Sequence, residues 1–340
     1  MRIMTDQEIR ALVKTRLPKE AFMRSRWKLL YCLPLIVSII ALTAWVTVPD
    51  LPWAIRSLVC FVIGNVYIAL MLLAHEVGHG AHTTNRKIRW LILFIGFLVY
   101  LIPPSLWVVW HNVAHHSHSN QPGIDPDNFD DQEASKRGIL HKIGQVPIVK
   151  LLGGFFALTM QGQNVLWHLS FKKPNRRVFK LLRKRNAIIE LALMFIIWIS
   201  TARFLGVSGS LWGILLPMMI ANAVIMSYVI TNHLLCPFCN SSHSLVTTMS
   251  VRTWKIVDFC HLHFSHHTEH HIFPALSHRY YPEVRRILET EVGAAYKAPS
   301  HWRAVYVFLT MPRIWNGAEF VDASGTRRMN LAELNARLQI

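Results

Sequence analysis

Acidic residues are scarce in this chain: 19 Asp and Glu stand against 36 Lys and Arg in 340 residues, and charge of either sign makes up only 16% of the total. With 52% hydrophobic residues and a positive mean hydropathy, that shortage excludes an ordinary soluble domain, in which about a quarter of the residues are charged. The five cysteines follow no secretory pattern, which excludes a disulfide framework. No glycine fingerprint for a nicotinamide or flavin is present, so any reductant must come from a partner. Internal repeats and low-complexity tracts are also missing. An integral membrane protein is what remains. A net charge of +17 would suggest nucleic acid in a soluble chain, but here the basic residues flank long apolar runs. Positive-inside bias places them there, and no nucleic-acid partner is expected.

A bilayer core of about 30 Å takes about 20 helical residues. On that measure the apolar stretches 29–48, 57–74, 187–202 and 211–230 are expected spans, after a basic cytosolic lead over residues 1–28. No small-residue cleavage site follows the first run, so it reads as an anchor that stays. Residues 90–110 are uncharged and by length would be a further crossing. Pro103-Pro104 breaks the helix, however, and we expect a re-entrant or interfacial excursion that returns to the side it left. Residues 117–145 form the longest polar loop, with an acidic run beginning at Asp125. Residues 147–171, interrupted by Gly153-Gly154, suit a helix lying along the interface. The basic run over 172–185 marks the cytosol. Glu190, the only acid in the last two runs, sits near a helix end, where it can reach headgroups. Residues 231–340 read as a cytosolic cap and tail, with amphipathic helices at 281–291 and 302–310. The expectation is an all-α integral membrane protein forming a single domain over 1–340. It has four transmembrane helices, a cytosolic helical cap and both termini cytosolic, in a bacterial inner membrane or an organellar one.

Histidine is what the chain has in excess. Thirteen of its nineteen histidines fall in three places. These are His75-Glu76-Val77-Gly78-His79 with His82, His111-Asn112-Val113-Ala114-His115-His116 with His118, and the segment 260–271. The last holds His261, His263, His266, His267, His270 and His271. On a helix the H-x-x-H-H offsets of three and four bring His267, His270 and His271 onto one face. Neutral imidazole is a common ligand that suits iron, copper, nickel and zinc. Taken alone, His75 to His79 is H-E-x-x-H, the zinc-protease pattern with Glu76 as general base. One zinc needs only one further protein ligand, and this chain supplies at least six more histidines at ligand spacing. With His233, the three clusters fit a dinuclear site, and iron is the expected metal. His141, His168, His243, His278 and His301 read individually as polar-face residues of interfacial helices. Cys236 and Cys239 form a lone C-x-x-C that reads as a proline-containing turn.

The motifs HEVGH, HNVAHH and HHTEHHIFP, with long apolar segments between the first two and the last two, resemble the three histidine boxes of the membrane fatty acid desaturase and hydroxylase family. WHNVAHHSHSNQPGIDPDN is similar to that family's second-box neighbourhood. Thr231-Asn232-His233 resembles the position after the fourth span where the family places a further histidine. The resemblance covers residues 55 to 290 and implies iron ligands at His75, His79, His111, His115, His116, His267, His270 and His271, with His233 as the ninth. His82, His118, His266 and Asn232 are expected beside the ligands, orienting them rather than binding metal, as are His261 and His263. Asp125 and Asp127 either hydrogen-bond such imidazoles or cap the turn of their loop.

By the same resemblance the chain is expected to be an oxygen-dependent acyl desaturase of the acyl-lipid type. It would use two ferrous ions, molecular oxygen, and electrons from a separate carrier such as ferredoxin or cytochrome b5. Its substrate would be a fatty acyl chain on a lipid or thioester carrier, drawn from among membrane lipids. A hydroxylase or carotenoid ketolase with the same boxes is the rival outcome.

Overall fold

The long apolar runs fold as helices, since backbone groups without water must pair within their own segment. The structure, a computed structural model, describes residues 4–127, 146–173, 175–312, 314–322 and 324–340. Most of the acidic run and His141 lie outside the described residues. Helix α1 (Asp6–Arg16) is followed by α2 (Cys32–Val46), α3 (Trp53–Gly78), α4 (Arg86–Phe97) and α5 (Pro104–His118). Next come α6 (Pro147–Gly154), α7 (Ala157–Trp167), α8 (Lys184–Ser210) and α9 (Leu216–His233). The remaining helices are α10 (Lys255–Cys260), α11 (His267–Ile272), α12 (Tyr281–Glu291), α13 (His301–Thr310) and α14 (Leu331–Leu338).

Among the described residues three helical runs are long and apolar enough to cross a membrane, namely Arg26–Val46, Trp53–Gly78 and Lys184–His233. They become four if α4 and α5 count as one broken run. The third is 50 residues long, but Gly206 leaves helical geometry at φ 68° and ψ −176°. The run is therefore two arms that meet at one glycine within α8, where residues 203–210 between the expected spans 187–202 and 211–230 suggested a longer link. Leu33, Val37 and Ile40 on α2 and Ile196, Ile199 and Phe204 on α8 turn outward, as lipid-facing surfaces do. Helix α3 is central, with α2, α4 and α9 all packed on it.

Residues 90–110 do not form a straight crossing: α4 and α5 meet at 100°. The chain breaks through Leu101, at a left-handed φ of 54°, and Pro103. The carbonyls freed there find donors, the Leu98 oxygen in Trp198 Nε1 at 2.9 Å and the Leu101 oxygen in Gln163 Nε2 at 2.8 Å. Glu190 is buried rather than reaching headgroups. Its carboxylate accepts from Trp90 Nε1 at 2.7 Å, Ser105 N at 2.9 Å and Ser105 Oγ at 2.7 Å. It thereby caps the start of α5 and ties both sides of the break to α8.

The C-terminal region carries α10 to α14 and a small antiparallel sheet, ordered β1 (Ile314–Trp315), β2 (Glu319–Val321) and β3 (Arg328–Asn330). An all-α reading missed these strands. They are two or three residues long, and their signal lies in the turns: Gly317 and Gly325 at positive φ, and Asn316 and Asp322 accepting from nearby backbone amides. Trp315 pairs with Phe320 and Phe320 with Met329, so three apolar side chains face Phe308 and Leu334 in one cluster. Helix α1 docks against α12 through Ile9 and Val13, and Arg10 Nε donates to the Ile272 carbonyl at 2.8 Å.

Replacing Glu190 by Ala leaves three donors without their acceptor. Purified protein should lose about 2–3 kcal/mol of stability, read as a fall in apparent melting temperature. Glu190→Gln, which keeps one acceptor oxygen, should lose less, and equal melting of all three proteins would refute the staple.

Candidate metal centre

On α3 the H-E-x-x-H spacing puts His75 and His79 one turn apart on one face, with ring centroids at 4.8 Å. Gly78 between them leaves room for the Trp107 ring of α5, which any Cβ would strike. That ring stacks on His111 at 4.9 Å. From Val108 to His115 helix α5 is π-wound. Hydrogen bonding from i to i+5 brings residues five apart onto neighbouring positions. His111 therefore meets both members of the His115-His116 pair, with centroids at 5.2 Å and 4.7 Å. On α11 His267, three residues before His270 and four before His271, shares a ligand group with His271, while His270 joins the other.

Two groups of four imidazoles result. The ligand nitrogens of His75, His79, His111 and His270 all lie within 4.8 Å of one another, and so do those of His115, His233, His267 and His271. The first group draws on α3, α5 and α11, the second on α5, α9 and α11. His116 stands between them: its Nε2 is 3.2 Å from His111 Nε2 and 3.1 Å from His270 Nε2, and its ring stacks on His271 at 4.3 Å. All nine expected ligand residues thus meet in one place, which requires the first two boxes to lie on the same side of the bundle.

The donor chemistry fits cations. Nε2 atoms face one another at 2.9 Å for His75 and His111, 2.6 Å for His233 and His267, and 3.2 Å for His267 and His271. Several rings spend their only proton on the far side. His115 Nδ1 donates to Asp125 Oδ1 at 3.0 Å, and His270 Nδ1 donates to the Tyr281 hydroxyl at 3.1 Å. The Tyr281 hydroxyl in turn donates to the Phe273 carbonyl. With Nδ1 protonated, Nε2 is a bare lone pair. Imidazole nitrogens packed this closely in a buried site either hydrogen-bond to one another or share a positive ion, and the grouping of four at each point suits the ion. Burial first, and neighbouring imidazoles second, hold His79, His267, His270 and His271 well below the usual histidine range, in the neutral form that binds metal.

Around the nitrogens, the acidic pair does more than cap a turn. Asp127 Oδ2 lies 3.3 Å from His115 Nδ1, while its Oδ1 accepts from Trp110 Nε1 at 2.7 Å. Asp125 Oδ2 accepts from Asn120 N at 2.7 Å. Asn232, fully buried beside His233, has no partner for its amide group among the described residues. His118 is bonded to the Ala114 carbonyl, and His266 to Ser265. Neither joins a ligand group, and neither do His82, His261 and His263.

Glu76 is not placed as a water-activating base. Its Oε2 is shared by His82 Nε2 and His278 Nδ1, both at 2.9 Å, and its Oε1 accepts from His278 N. His278, read from sequence as an interfacial residue, is thus a structural partner of the first box. Sequence reading also missed Tyr281 and Glu269. Buried Glu269 accepts from Tyr296 Oη at 2.6 Å, Ser250 Oγ at 2.5 Å and Arg285 Nε at 3.3 Å, anchoring α11 between its ligands. Both residues sit within or just after the third box, but only tertiary contacts reveal their work. Cys236 and Cys239 are free, belong to no ligand group among the described residues, and lie in a turn held by Asn120.

A cavity opens beside the imidazoles, lined by apolar Met71, Phe97, Ile102, Trp107, Leu158, Ile225, Met226, Val229 and Phe264 together with His75, His111, His115, His233 and His267. Gln161 and Asp127 are its polar members. At about 60 Å³ it is a narrow slot, and its mainly apolar lining suits an apolar group next to the metal ligands.

Comparison with known proteins agrees with this geometry. The chain is similar to an omega-3 fatty acid desaturase, chloroplastic, of Ricinus communis, at 26% identity over 109 residues, covering 32% of this chain and 24% of that protein. A probable fatty acid desaturase of Sorghum bicolor matches at 25% over 32% of this chain and 28% of its own length. An sn-2 acyl-lipid omega-3 desaturase (ferredoxin), chloroplastic, of Arabidopsis thaliana matches at 24%, over 32% and 24%. The match thus spans about a quarter of each relative's length. The family described as fatty acid desaturase matches residues 51–304, which hold α3 through the first turn of α13 and all nine converging histidines, and the chain belongs to that family.

Proposed function

We propose that the chain is an oxygen-dependent fatty acyl desaturase holding two irons. One is bound by His75, His79, His111 and His270, the other by His115, His233, His267 and His271, with His116 between them. The observation that carries this reading is the pair of four-imidazole groups beside an apolar cavity. Eight imidazole nitrogens, with the Asp127 carboxylate within ligand distance of His111 and His115, suit a divalent first-row metal. The ferrous pair, when bound, supplies oxygen activation and the oxidation that removes two hydrogens from adjacent methylenes. The protein's share is positioning. Tyr281 and Asp125 fix ring orientation, Trp107 and Phe264 wall the site from water, and the cavity holds the chain in register with the ligands. The H-E-x-x-H protease reading loses its base, because Glu76 is fully engaged by His82 and His278.

Electrons come from a separate carrier, and one relative's name specifies ferredoxin. Lys173, Arg176, Arg177, Lys180 and Lys184 line an open basic depression, and the segment carrying Arg176 to Lys180 packs against α5, the helix that holds His111 and His115. An acidic donor docked there would sit one helix away from the ligands. This basic face, the cap and α1 lie toward the metal end, so we place that end and both termini in the cytosol of a bacterial inner membrane or outside an organellar one.

Expression in a host lacking the activity, followed by fatty-acid methyl-ester analysis, should show new double bonds; new hydroxyl groups would instead mark a hydroxylase. His270→Ala and His233→Ala should each abolish product in folded protein and lower iron from about two ions per chain to about one. Loss of neither ion would remove both residues from the ligand set. Asp125→Asn should weaken metal affinity about tenfold to a hundredfold, measured by competition with a chelator. Reversing Arg176 and Arg177 to Glu should slow reduction by an acidic carrier and flatten its salt dependence, while a small neutral reductant acts as before.

A further inference from the structure

The segment from His261 to Phe264 straps the seam between α3 and α9. His261 bridges the two helices: its Nε2–H donates to Asn65 Oδ1 at 3.0 Å, and its Nδ1 accepts from the Tyr228 hydroxyl at 3.1 Å. Asn65 Nδ2 is committed to the Phe61 carbonyl, so the amide oxygen must face the ring. Leu262 and His263 follow at φ 47° and 55°. Two consecutive left-handed residues without glycine persist only where their surroundings enforce them. Phe264 comes next, its ring 5.6 Å from His75, 5.2 Å from His267 and 5.7 Å from Tyr228. It lines the cavity with Met71 of α3 and Met226 of α9.

The strap lies at bilayer depth. Asn65 precedes His75 by about 15 Å along α3, and Tyr228 precedes His233 by about 7 Å along α9, at 1.5 Å per residue. The last large exposed apolar residue of α3 on this side is Val62, one turn before Asn65. The strap therefore begins where the helix's lipid-facing surface ends. Beside it, Trp254, Ile256, Phe259, Trp302 and Tyr306 are all exposed, continuing that surface onto α10 and α13. Indole and phenol side chains at this level suit the boundary between headgroups and acyl chains.

We propose that the strap is a lateral gate: an acyl chain still carried by a membrane lipid slips from the bilayer between α3 and α9 into the cavity when His261 releases its two helices. The inference rests on the desaturase reading above, and it names the substrate as lipid-borne. The test uses the full chain in phosphatidylcholine vesicles containing a lipid with a photoactivatable diazirine in mid-chain, with labelled residues located by mass spectrometry. Label is expected on residues 259–264 and on Met226. Asn65→Leu removes one of the two bonds and His261→Leu both, and each should raise Met226 labelling roughly threefold to tenfold. Asn65→Leu keeps the bond to Tyr228 and so guards against a fold lost in the other variant. Unchanged Met226 labelling in the folded variants would overturn the gate. So would stronger Met226 labelling by a diazirine acyl thioester added to the water phase. Failure of the desaturase reading would look different: the lipid chain would still reach Met226, but iron-loaded vesicles given reductant and oxygen would form no double bond.

Discussion

The convergence of imidazole nitrogens from four helices onto two adjacent points is the constraint the rest of the structure obeys. Helices α5 and α11 each serve both points, so neither ligand group can be assembled without the other. This sharing dictates the path of the chain between the first two boxes. It must leave α3 at the metal end and come back to that end within about thirty residues, which is why α4 and α5 meet at 100° rather than crossing. The break exposes carbonyls and amides that apolar surroundings cannot satisfy. Glu190, Trp198 and Gln163 supply the missing partners from α8 and α7.

Burial of so many imidazoles, with Asp125 and Asp127 as counter-charge at His115, is the site's electrostatic problem. A ring binds metal only while neutral, and desolvation together with mutual repulsion favours that form at His267 and His270. The far nitrogens are tied down by Asp125, Asp127 and Tyr281, which decides the tautomer and leaves the near nitrogens as bare donors. Ion binding and folding are coupled in such a site, because ligands gathered from four helices meet only in the folded chain. Glu76 and Glu269 contribute differently. Each is a buried carboxylate one or two residues from a ligand, and each is saturated by protein groups, so it fixes its helix and leaves the metal to the imidazoles.

The same histidine-rich stretch links the metals to the bilayer. Within eleven residues the chain passes from His261, which bridges α3 and α9, through Phe264 against the cavity, to the ligands of α11. On the proposed reading, substrate access and metal ligation share this one continuous segment.

Much was legible in sequence because the chemistry is local. Box spacings are helical periods, a double proline is a steric break, and long uncharged runs have one stable form in lipid. These properties pointed to the histidines that converge, the apolar helices, the break at Pro103-Pro104 and the family. Other features depended on contacts between residues far apart in the chain, which no local pattern encodes. Glu190 looked like an acid near a helix end until α8 lay beside Ser105, and His278 looked interfacial until it met Glu76. The short strands after α13 escaped notice because two or three residues carry no periodicity, only turn signals. Sequence alone determined which side chains could bind metal. Tertiary structure alone decided how they divide into two groups, since one helix face offers nitrogens to either ion and only the packing of α3, α5, α9 and α11 assigns each ring to its partner set.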